Sequence, residues 1–558
     1  MKDRLINIIK ETYQECIRKG LLKDIPLPEF VLEVPNNQNH GHFATNLPLL
    51  LAAGQKSAPR QIADIMTSNM GDAKGILEKT EVAGPGFINF WIKDEQWHRL
   101  LSDIVTGDES FGGSFIGNGK RVMVEFVSAN PTGPLHLGHG RGAALGDTLS
   151  RILSFCGYDV DREFYINDAG LQIRLLGESV LSRYMQIDEP DFPFPENGYH
   201  GEYVSELAED ISRQYDLKKM SRQEAVELCS SKGKEILLSR LKDDLSGFRV
   251  SFDRWYSESE LHESGFLRNT LDEIETKGHL YEKDQALWID TSRFGDDKDR
   301  VIRKKDGFFT YFASDIAYHL DKNARGYEWA INLWGADHHG YIPRMKAALS
   351  ACGLDQDWLS VILIQLVKLW KGGQEIKMSK RAGTYVTLKE LCEEVGVDAV
   401  RFVFLSKNSD SPLDFDIDLV KRRDSENPVY YVQYAHARIC SIFRKAEAEG
   451  IGLPEVPFKV LKHIRLEEEM ALLRTMAAFP LLLQEICLKL EPHRLTYYLT
   501  ELAASFHRYF NLGTKHPEHR IISEDVEKSE ARLVLAQAVR IVIANGLNLL
   551  GIKSPERM

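Results

Sequence analysis

Two short motifs carry side chains suited to binding a polyphosphate. The first is HLGH at residues 136–139, and the second, much later in the chain, is KMSK at residues 377–380. Histidines offer directional hydrogen-bond donors, and a helix N-terminus adds free N–H groups and positive potential. Lysines neutralise the charge that builds on phosphate oxygens as a leaving group departs. Together the motifs predict phosphate chemistry driven by positioning and electrostatics.

The histidine motif lies between a predicted strand and a predicted helix. His136 and His139 are three residues apart and would share one face of the first helical turn, while Gly138 would let a base approach the backbone. Alone, they could equally be ordinary polar residues at a helix start. Residues 138–143 also fit a loose dinucleotide fingerprint, GxGxxA. A dehydrogenase places those glycines directly after its strand, whereas about ten residues intervene here.

The lysine motif follows a predicted strand and a Gly-Gly turn. We expect two lysines to close over a triphosphate and the residues between them to lie beside the nucleotide, which assigns roles to Lys377, Met378, Ser379 and Lys380. The alternative is a solvated surface loop. A near-copy, KMSR at 219–222, lacks the second lysine and precedes a predicted helix, which indicates a surface segment.

The elements that must position these motifs form strand–helix–strand units. Residues 121–127 predict a strand, and apolar residues at helical spacing up to Cys156 predict a helix that Gly157 ends. Further strands are predicted over 159–166, 329–335 and 359–370. Such alternation implies a parallel sheet, so the fold class is α/β with a Rossmann-like catalytic domain.

Three domains are expected from the chain length and its changes of pattern. Residues 1–110 predict an α+β module, and residues 111–384 predict the parallel-sheet domain with a polar, largely helical insertion over about 185–300. Residues 385–558 predict an all-helical domain, with long amphipathic stretches such as 461–490.

The composition of the 558 residues favours a reduced, cytoplasmic protein. Seven scattered cysteines form no CxxC pair, which argues against a zinc ribbon or a disulfide framework, and we expect no structural metal. The N-terminus lacks the apolar core of a signal peptide, and residues 533–552 are interrupted by polar side chains, which favours a buried helix over a membrane span. The net charge of −12 requires any nucleic-acid contact to use local basic patches.

Longer stretches around the motifs narrow the family. The most specific are VEFVSANPTGPLHLGH, YINDAGLQ, FDRWYSES, DGFFTYFASDIAYH and WGADHHGY, at 124–139, 165–172, 252–259, 306–319 and 334–341. With the two motifs in this order, the chain resembles a class I aminoacyl-tRNA synthetase and, within that class, arginyl-tRNA synthetase. The resemblance spans nearly the whole chain and implies ATP with Mg²⁺, L-arginine and tRNA(Arg) as ligands.

The resemblance also implies roles for individual residues. A guanidinium requires carboxylates and acceptors in a planar fork, and the family holds it at positions that match Glu258, Tyr311 and Asp315. Glu125 and Asn130 match residues near the α-amino and carboxylate groups of the substrate. The nucleotide side is expected to include Asp337 and His338. A surface ion pair remains the alternative for each acid.

A basic segment in the helical domain suits an RNA loop. Residues 421–445 hold six basic and two acidic residues interleaved with tyrosines, and the run resembles the family's anticodon-binding domain. The expected tRNA contacts are Arg422, Arg423, Tyr430, Tyr434 and Arg438, with Asn46 in the N-terminal module. Core packing remains an equal alternative for the tyrosines. We expect a monomer without membrane contact; a non-catalytic tRNA-binding relative would have lost a motif histidine or lysine, and none is lost.

Overall fold

The computed structural model describes residues 2–33, 35, 40–70, 75–168, 170–376, 386–454 and 459–558. The N-terminal unit is a four-stranded antiparallel sheet in the order β1-β2-β4-β3 with helices around it. Residues 82–92 contain the end of one strand, a Gly-Pro-Gly turn and a second strand. The elements are α1 Lys2–Arg18, β1 Leu32–Glu33, β2 Phe43–Thr45, α2 Leu47–Gln55, α3 Pro59–Asn69, β3 Leu77–Ala83, β4 Phe87–Ile92 and α4 Asp94–Gly107.

A five-stranded parallel sheet forms the centre of the next unit. Its strands lie in the order β12 (Leu359–Ile364), β11 (Trp329–Gly335), β5 (Arg121–Glu125), β6 (Asp159–Ile166) and β7 (Arg254–Ser257), and every neighbouring pair is parallel. The predicted α/β fold class is therefore confirmed. The elements to the first crossover and the insertion are β5 Arg121–Glu125, α5 Leu137–Phe155, β6 Asp159–Ile166, α6 Leu171–Gln186, α7 Glu202–Ser212, α8 Arg222–Gly247 and β7 Arg254–Ser257.

The stretch expected to be one insertion, about 185–300, is interrupted by a strand of the main sheet. Arg254–Ser257 pairs in parallel with β6, so the chain returns to the sheet before it leaves again. The strand is four residues long and polar at its first position, so its apolar pattern is too short to detect. The following elements are α9 Glu258–Glu263, α10 Phe266–Thr276, the antiparallel strands β8 Leu280–Lys283, β9 Ala286–Ile289 and β10 Arg300–Arg303, then α11 Tyr311–Ala324, β11 Trp329–Gly335, α12 Ile342–Ala351 and β12 Leu359–Ile364.

The prediction of one strand over 359–370 is wrong. The chain leaves the main sheet after Ile364 and starts a second, three-stranded sheet. The bend is fixed at Gln365, whose backbone carbonyl accepts a hydrogen bond from the buried Arg141 guanidinium at 2.9 Å. The second sheet contains β13 Val367–Lys371, β14 Gln374–Ile376 and β15 Leu413–Asp416, and β15 interrupts the region expected to be all helical.

Helices account for most of the remaining chain. The stretch 461–490, expected as one amphipathic run, divides at Ala478, where Pro480 sits in the first turn of a new helix. The helices are α13 Leu388–Val395, α14 Val397–Phe404, α15 Ile417–Val420, α16 Pro428–Ala448, α17 Glu467–Ala477, α18 Phe479–Lys489, α19 His493–Lys515 and α20 Val526–Leu549.

Two stretches of the described chain are long and apolar enough to cross a bilayer. They are Glu467–Lys489, which comprises α17 and α18, and Val526–Leu549, which is α20. Most of the apolar window of α20 is buried within the fold, where the helix packs on α16 and α19. The apolar character of α20 is therefore explained by its packing in the core, which agrees with the buried helix expected over residues 533–552.

A buried ion pair joins α5 to the helical unit. Arg401 of α14 and Asp147 of α5 are fully buried, and Nη2 of Arg401 lies 2.5 Å from Oδ2 of Asp147. The same guanidinium donates to the backbone carbonyls of Leu550 at 2.7 Å and Phe248 at 3.1 Å. One side chain therefore connects the helix that follows the histidine motif to two other segments.

Arg401→Ala is expected to lower the stability of the protein by about 3–5 kcal/mol, because it leaves a buried carboxylate without its main partner and removes donors from two carbonyls. Thermal unfolding followed by calorimetry measures the effect. Arg213→Ala is the matched control, since Arg213 is exposed and pairs only loosely with Asp210 at 3.5 Å. An equal change in melting temperature for both variants would contradict the structural role of Arg401.

Candidate active site

The two motif histidines are stacked at the N-terminus of α5. The backbone N–H of His139 donates to Nδ1 of His136, and the N–H of His136 donates to Nδ1 of His139, both at 3.3 Å. The rings lie 3.6 Å apart at an angle of 13°. Because each Nδ1 accepts a hydrogen bond, the neutral rings carry their protons on Nε2. The prediction that both histidines share the first turn is confirmed.

Two glycines at the start of α5, Gly138 and Gly140, are required for close packing within the protein. A Cβ atom on Gly140 would lie 2.6 Å from the Leu388 side chain, and one on Gly138 would lie 3.1 Å from the His136 ring. Gly140 therefore allows α13 to pack directly against α5. This contact accounts for Gly140 without any cofactor.

The lysine motif, with Lys377, Met378, Ser379 and Lys380, lies outside the described residues. Its flanks are described: β14 ends at Ile376, and the chain is described again from Val386. Thr387 forms an antiparallel bridge with His136, and the N–H of Leu388 donates to the carbonyl of Leu135 at 2.8 Å. Thr387 and Leu388 thus lie directly beside the histidine motif.

The near-copy of the lysine motif lies on the surface, as expected. Lys219, Met220, Ser221 and Arg222 are all exposed. Ser221 is the N-cap of α8: its hydroxyl accepts from the N–H of Glu224 at 3.3 Å, and the Glu224 carboxylate accepts from the N–H of Ser221 at 2.9 Å. The string is thus a helix cap.

Three carboxylates converge at the carboxyl edge of the parallel sheet. Glu125 is the last residue of β5, Glu258 is the first residue after β7, and Asp315 lies in the second turn of α11. Burial raises the pKa of Asp315 to about 7; the Tyr341 hydroxyl opposes this rise, whereas the charges of Glu125 and Glu258 add to it. Burial also raises the pKa of Glu258. The site is short of positive charge, so it favours a cationic ligand.

A buried lysine holds Glu125 in place. Nζ of Lys322, fully buried on α11, lies 2.6 Å from Oε2 of Glu125 and 3.0 Å from Oδ1 of Asn332. The Asn332 amide donates to Nε2 of His319 at 2.9 Å, and Nδ1 of His319 donates to the carbonyl of Asp315 at 2.7 Å. Burial lowers the pKa of His319 to about 3, so this histidine is neutral. The network joins the Glu125 carboxylate to the backbone carbonyl of Asp315.

The backbone after β5 is strained. Val127 and Ser128 have φ angles of 68° and 39°, in the left-handed region that a β-branched residue rarely adopts. This conformation directs the Ser128 hydroxyl to Oε1 of Glu125, to which it donates at 3.1 Å, and the Ser128 hydroxyl oxygen itself accepts from the N–H of Tyr165 at 3.2 Å. The strain therefore fixes Glu125 at the point where the chain turns toward the histidine motif.

Asp168 fixes the backbone on both sides of Glu258. Its carboxylate accepts from the Ser257 hydroxyl at 2.9 Å and from the N–H of Ser259 at 3.2 Å, and it pairs with Lys234 of α8 at 3.2 Å. Burial alone would raise the pKa of Asp168, but these donors outweigh it and lower the pKa. The insertion helix α8 is thereby linked to the carboxylate site.

The other predicted site residues lie around the rim. The Tyr311 side chain is 71% exposed at the start of α11, and the hydroxyl that contacts Asp315 belongs to Tyr341. The Asn130 amide donates to Oε1 of Gln172 at 2.6 Å. Asp337 and His338 are exposed in the 3₁₀ helix Ala336–Tyr341 that follows β11, and Nε2 of His338 lies 3.6 Å from Oδ2 of Asp337. The structure thus brings Glu125, Glu258 and Asp315 together and leaves the rest at the edge.

Sequence reasoning missed Lys322, His319, Asn332, Asp168 and Tyr341. One signal was present: Asp315, His319 and Lys322 recur at helical spacing, which puts them on one face of α11. Asp168 and Tyr341 fall inside the distinctive stretches at 165–172 and 334–341 but received no role. Their partners are distant in sequence, so no local pattern indicates them.

The basic segment of α16 borders a cavity of about 790 Å³. The Arg438 guanidinium lies 4.5 Å from the ring centres of Tyr434 and Phe510, and its Nη2 donates to the Tyr434 hydroxyl at 3.0 Å. Other basic residues lining the cavity are Arg444, Lys445, Arg520 and Arg557. The cavity combines cations with aromatic faces, which suits a nucleotide base and its phosphates.

The remaining candidate tRNA contacts have varied surroundings. Tyr430 and Tyr434 are half-buried with stacked rings 5.8 Å apart, so they combine packing with an exposed edge. Arg422 and Arg423 are exposed, and Arg422 pairs with Glu426. Oδ1 of Asn46, at the N-cap of α2, accepts from the N–H of Val31 at 3.2 Å. Asn46 therefore already has a role within its own module.

Comparison with known families agrees with this geometry over the whole chain. Residues 3–92 match the arginyl tRNA synthetase N terminal domain, residues 101–416 match the class I (R) tRNA synthetase catalytic domain, and residues 432–558 match the DALR anticodon binding domain. The parallel sheet, with a histidine motif at its first crossover, thus defines a class I aminoacyl-tRNA synthetase.

Relatives of known name identify the member of that class. The chain is 49% identical to arginine–tRNA ligase of Desulfosudis oleivorans over all of both chains. It is 45% identical to arginine–tRNA ligase of Bacillus subtilis, covering all of this chain and 99% of the relative. The fold matches Thermus thermophilus arginyl-tRNA synthetase with a TM-score of 0.77 at 23% identity, covering 99% of this chain and all of that one. The chain belongs to the arginyl-tRNA synthetase family, and the dehydrogenase alternative is wrong.

Proposed function

We propose that the three-carboxylate site selects arginine and that the histidine and lysine motifs activate it on ATP. As a member of its family, the protein is an arginine–tRNA ligase: arginine and ATP give arginyl-adenylate and pyrophosphate, and arginine then passes to the 3′-terminal ribose of tRNA(Arg). The observation that carries the assignment of the site is the convergence of Glu125, Glu258 and Asp315, with the buried Lys322 paired to Glu125.

Each carboxylate has a separate task in this proposal. Asp315 and Glu258 pair with the guanidinium, because a planar fork binds carboxylates through charge-assisted hydrogen bonds. Glu125, held by Lys322, faces the α-amino group, and Asn130 lies beside the substrate carboxylate. Tyr311 closes the rim of the pocket. Leaving part of the fork unpaired disfavours lysine by roughly 1–3 kcal/mol per mismatched group.

The nucleotide is proposed to bind over the N-terminus of α5. His136 and His139 direct Nε2 donors to the phosphates, and Gly138 allows the adenine near the backbone. Lys377 and Lys380 close over the triphosphate with Met378 and Ser379 beside it, and Asp337 and His338 complete the nucleotide side. Mg²⁺ enters as part of the MgATP substrate; among the described residues, no group of three His, Cys, Asp or Glu side chains could hold a resident metal.

The RNA is proposed to contact both ends of the chain. The cavity beside Arg438 and Tyr434 receives a base of the anticodon loop, with Arg422, Arg423 and Tyr430 along its approach. Asn46 marks the surface of the N-terminal module that faces the RNA. We further propose domain boundaries at 1–110, 111–384 and 385–558, a monomer, and a cytoplasmic location without membrane contact.

Arginine-dependent ATP–pyrophosphate exchange tests the proposed activity and its specificity. The assay is run with and without tRNA(Arg), with lysine and citrulline as controls for charge and shape. Exchange with arginine alone among the three supports the site, and a requirement for tRNA would show that RNA completes it. Absence of exchange under both conditions, with tRNA still bound, would indicate a non-catalytic binding protein.

Arg438→Ala is expected to raise the KM for tRNA(Arg) roughly tenfold, because it removes a phosphate-binding cation and the support of an aromatic face. Aminoacylation at several salt concentrations measures the change, and the KM for arginine should stay constant. Arg213→Ala, an exposed arginine on the insertion, is the matched control. Equal tRNA affinity in the two variants would remove the cavity from the RNA interface.

A further inference from the structure

The Tyr341 hydroxyl is directed at one oxygen of Asp315. Tyr341 is the last residue of the 3₁₀ helix Ala336–Tyr341 that follows β11, and its hydroxyl donates to Oδ2 of Asp315. The ring is confined by Phe312 and Trp334, each with its ring centre 5.8 Å away, and by the Arg344 guanidinium at 5.3 Å. A tyrosine packed on these sides has little freedom, so the hydroxyl is a fixed donor.

This hydrogen bond affects both the orientation and the charge of the Asp315 carboxylate. Oδ2 accepts from the Tyr341 hydroxyl, and this hydrogen bond restricts rotation of the carboxylate about its last bond. The hydrogen bond also stabilises the charged form, against the effects of burial and of the nearby carboxylates Glu125 and Glu258. Lys322, on the same helix, acts in the same direction as Tyr341.

We propose that Tyr341 is a positioning residue for arginine recognition, which holds the Asp315 carboxylate in the orientation that receives the guanidinium. The inference rests on the proposed role of Asp315 and adds a determinant outside the set of arginine-contacting residues. Tyr341 acts through Asp315 and does not itself contact the substrate. The guanidinium of arginine supplies positive charge to a pocket of carboxylates. Tyr341 orients the Asp315 carboxylate that pairs with it.

The charged and titratable groups around Asp315 determine how its pKa should change when the Tyr341 hydroxyl is removed. Glu125 from β5 and Glu258 from α9 disfavour its charge, whereas Tyr341 and Lys322 favour it. Tyr165 of β6 is uncharged, because burial and the neighbouring acids raise its pKa. Loss of the Tyr341 hydroxyl therefore moves the pKa of Asp315 upward from about 7. At pH 7 a smaller fraction of the enzyme molecules would then have Asp315 in its ionised form.

Tyr341→Phe removes one oxygen atom and preserves the ring packing. We expect the KM for arginine in the exchange assay to rise about tenfold with kcat within about twofold, and the acid limb of kcat/KM to move about one pH unit upward. Tyr281→Phe is the matched control, because Tyr281 also donates to a carboxylate, Asp299, at 2.7 Å, but on the separate antiparallel sheet. That control should keep the wild-type KM and pH profile.

A double-mutant cycle separates positioning from packing. In the Asp315→Ala background, which has no group to accept from the Tyr341 hydroxyl, Tyr341→Phe should change the KM for arginine less than twofold, since its effect passes through the carboxylate. A full tenfold effect in that background, or an unchanged KM and pH profile in the single variant, would overturn the inference. The wild-type enzyme in the same assay tests the proposed function separately: exchange with arginine but no effect of Tyr341→Phe refutes only the role of Tyr341.

Discussion

Asp315→Asn is expected to raise the KM for arginine roughly 100-fold, a loss of about 3 kcal/mol of binding. The neutral amide keeps the shape of the carboxylate and can still accept from Tyr341, so the main change is the loss of charge opposite the guanidinium. Charge-assisted hydrogen bonds in a water-poor pocket are among the strongest polar contacts in proteins. Exchange kinetics over a wide range of arginine concentration, with tRNA(Arg) present, measure the effect.

Stability provides the internal control for this variant. The pKa of Asp315 in the folded protein, about 7, lies above that of an ordinary aspartate because burial disfavours the charge. The folded state therefore binds the proton more tightly than the unfolded chain, and this residue lowers stability as the pH rises from about 4 through about 7. At pH 8 the ligand-free Asp315→Asn protein should melt at or above the wild-type temperature. A destabilised variant would mean that the raised KM reflects misfolding.

Asp272→Asn is the matched substitution outside the pocket. Asp272 is exposed on α10, the helix that packs against α11. Its removal should leave the KM for arginine unchanged. If Asp315→Asn also left it unchanged, the carboxylate pocket would be assigned wrongly, and the surplus of negative charge at the sheet edge would require another ligand.

Local patterns in the sequence were sufficient to predict the helix that carries the two motif histidines. The apolar period and Gly157 predicted α5, and the spacing of His136 and His139 predicted their shared turn. These features depend on residues within a few positions of each other, where helical geometry fixes which side chains meet. Residues Glu125, Glu258 and Asp315 could be assigned as one site only through the family resemblance, because they come from three separate elements.

The features that escaped prediction depend on contacts between distant segments. The break after Ile364 is fixed by Arg141, more than two hundred residues earlier, and the apolar pattern of 359–370 does not record it. Tyr341 and Lys322 acquire their roles from the packing of β11 and α11 against β5. The pattern of a single sequence does not show which distant residues come into contact. The two motifs could therefore be recognised from the sequence, whereas the residues that orient the carboxylates could not.

Lys380→Ala is expected to reduce the rate of arginine activation roughly 100- to 1,000-fold while changing the KM for arginine less than threefold. The second lysine of the motif is proposed to meet negative charge that develops on the triphosphate as pyrophosphate leaves, an interaction stronger in the transition state than in the ground state. The described flanks support this placement, since Thr387 pairs with His136 and brings the chain to the N-terminus of α5, where we propose that the phosphates bind. Single-turnover formation of arginyl-adenylate separates this chemical step from substrate binding.

The near-copy of the motif offers an unusually close control. Lys219→Ala removes the same side chain from the string KMSR, where Lys219 is exposed and pairs with Asp216 at 2.8 Å. A general effect of lost lysine charge on folding or solubility would appear in both variants, whereas a role in catalysis would appear only at Lys380. Wild-type activation by Lys380→Ala would remove the lysine motif from the mechanism and leave the histidines and the helix N-terminus to bind the phosphates alone.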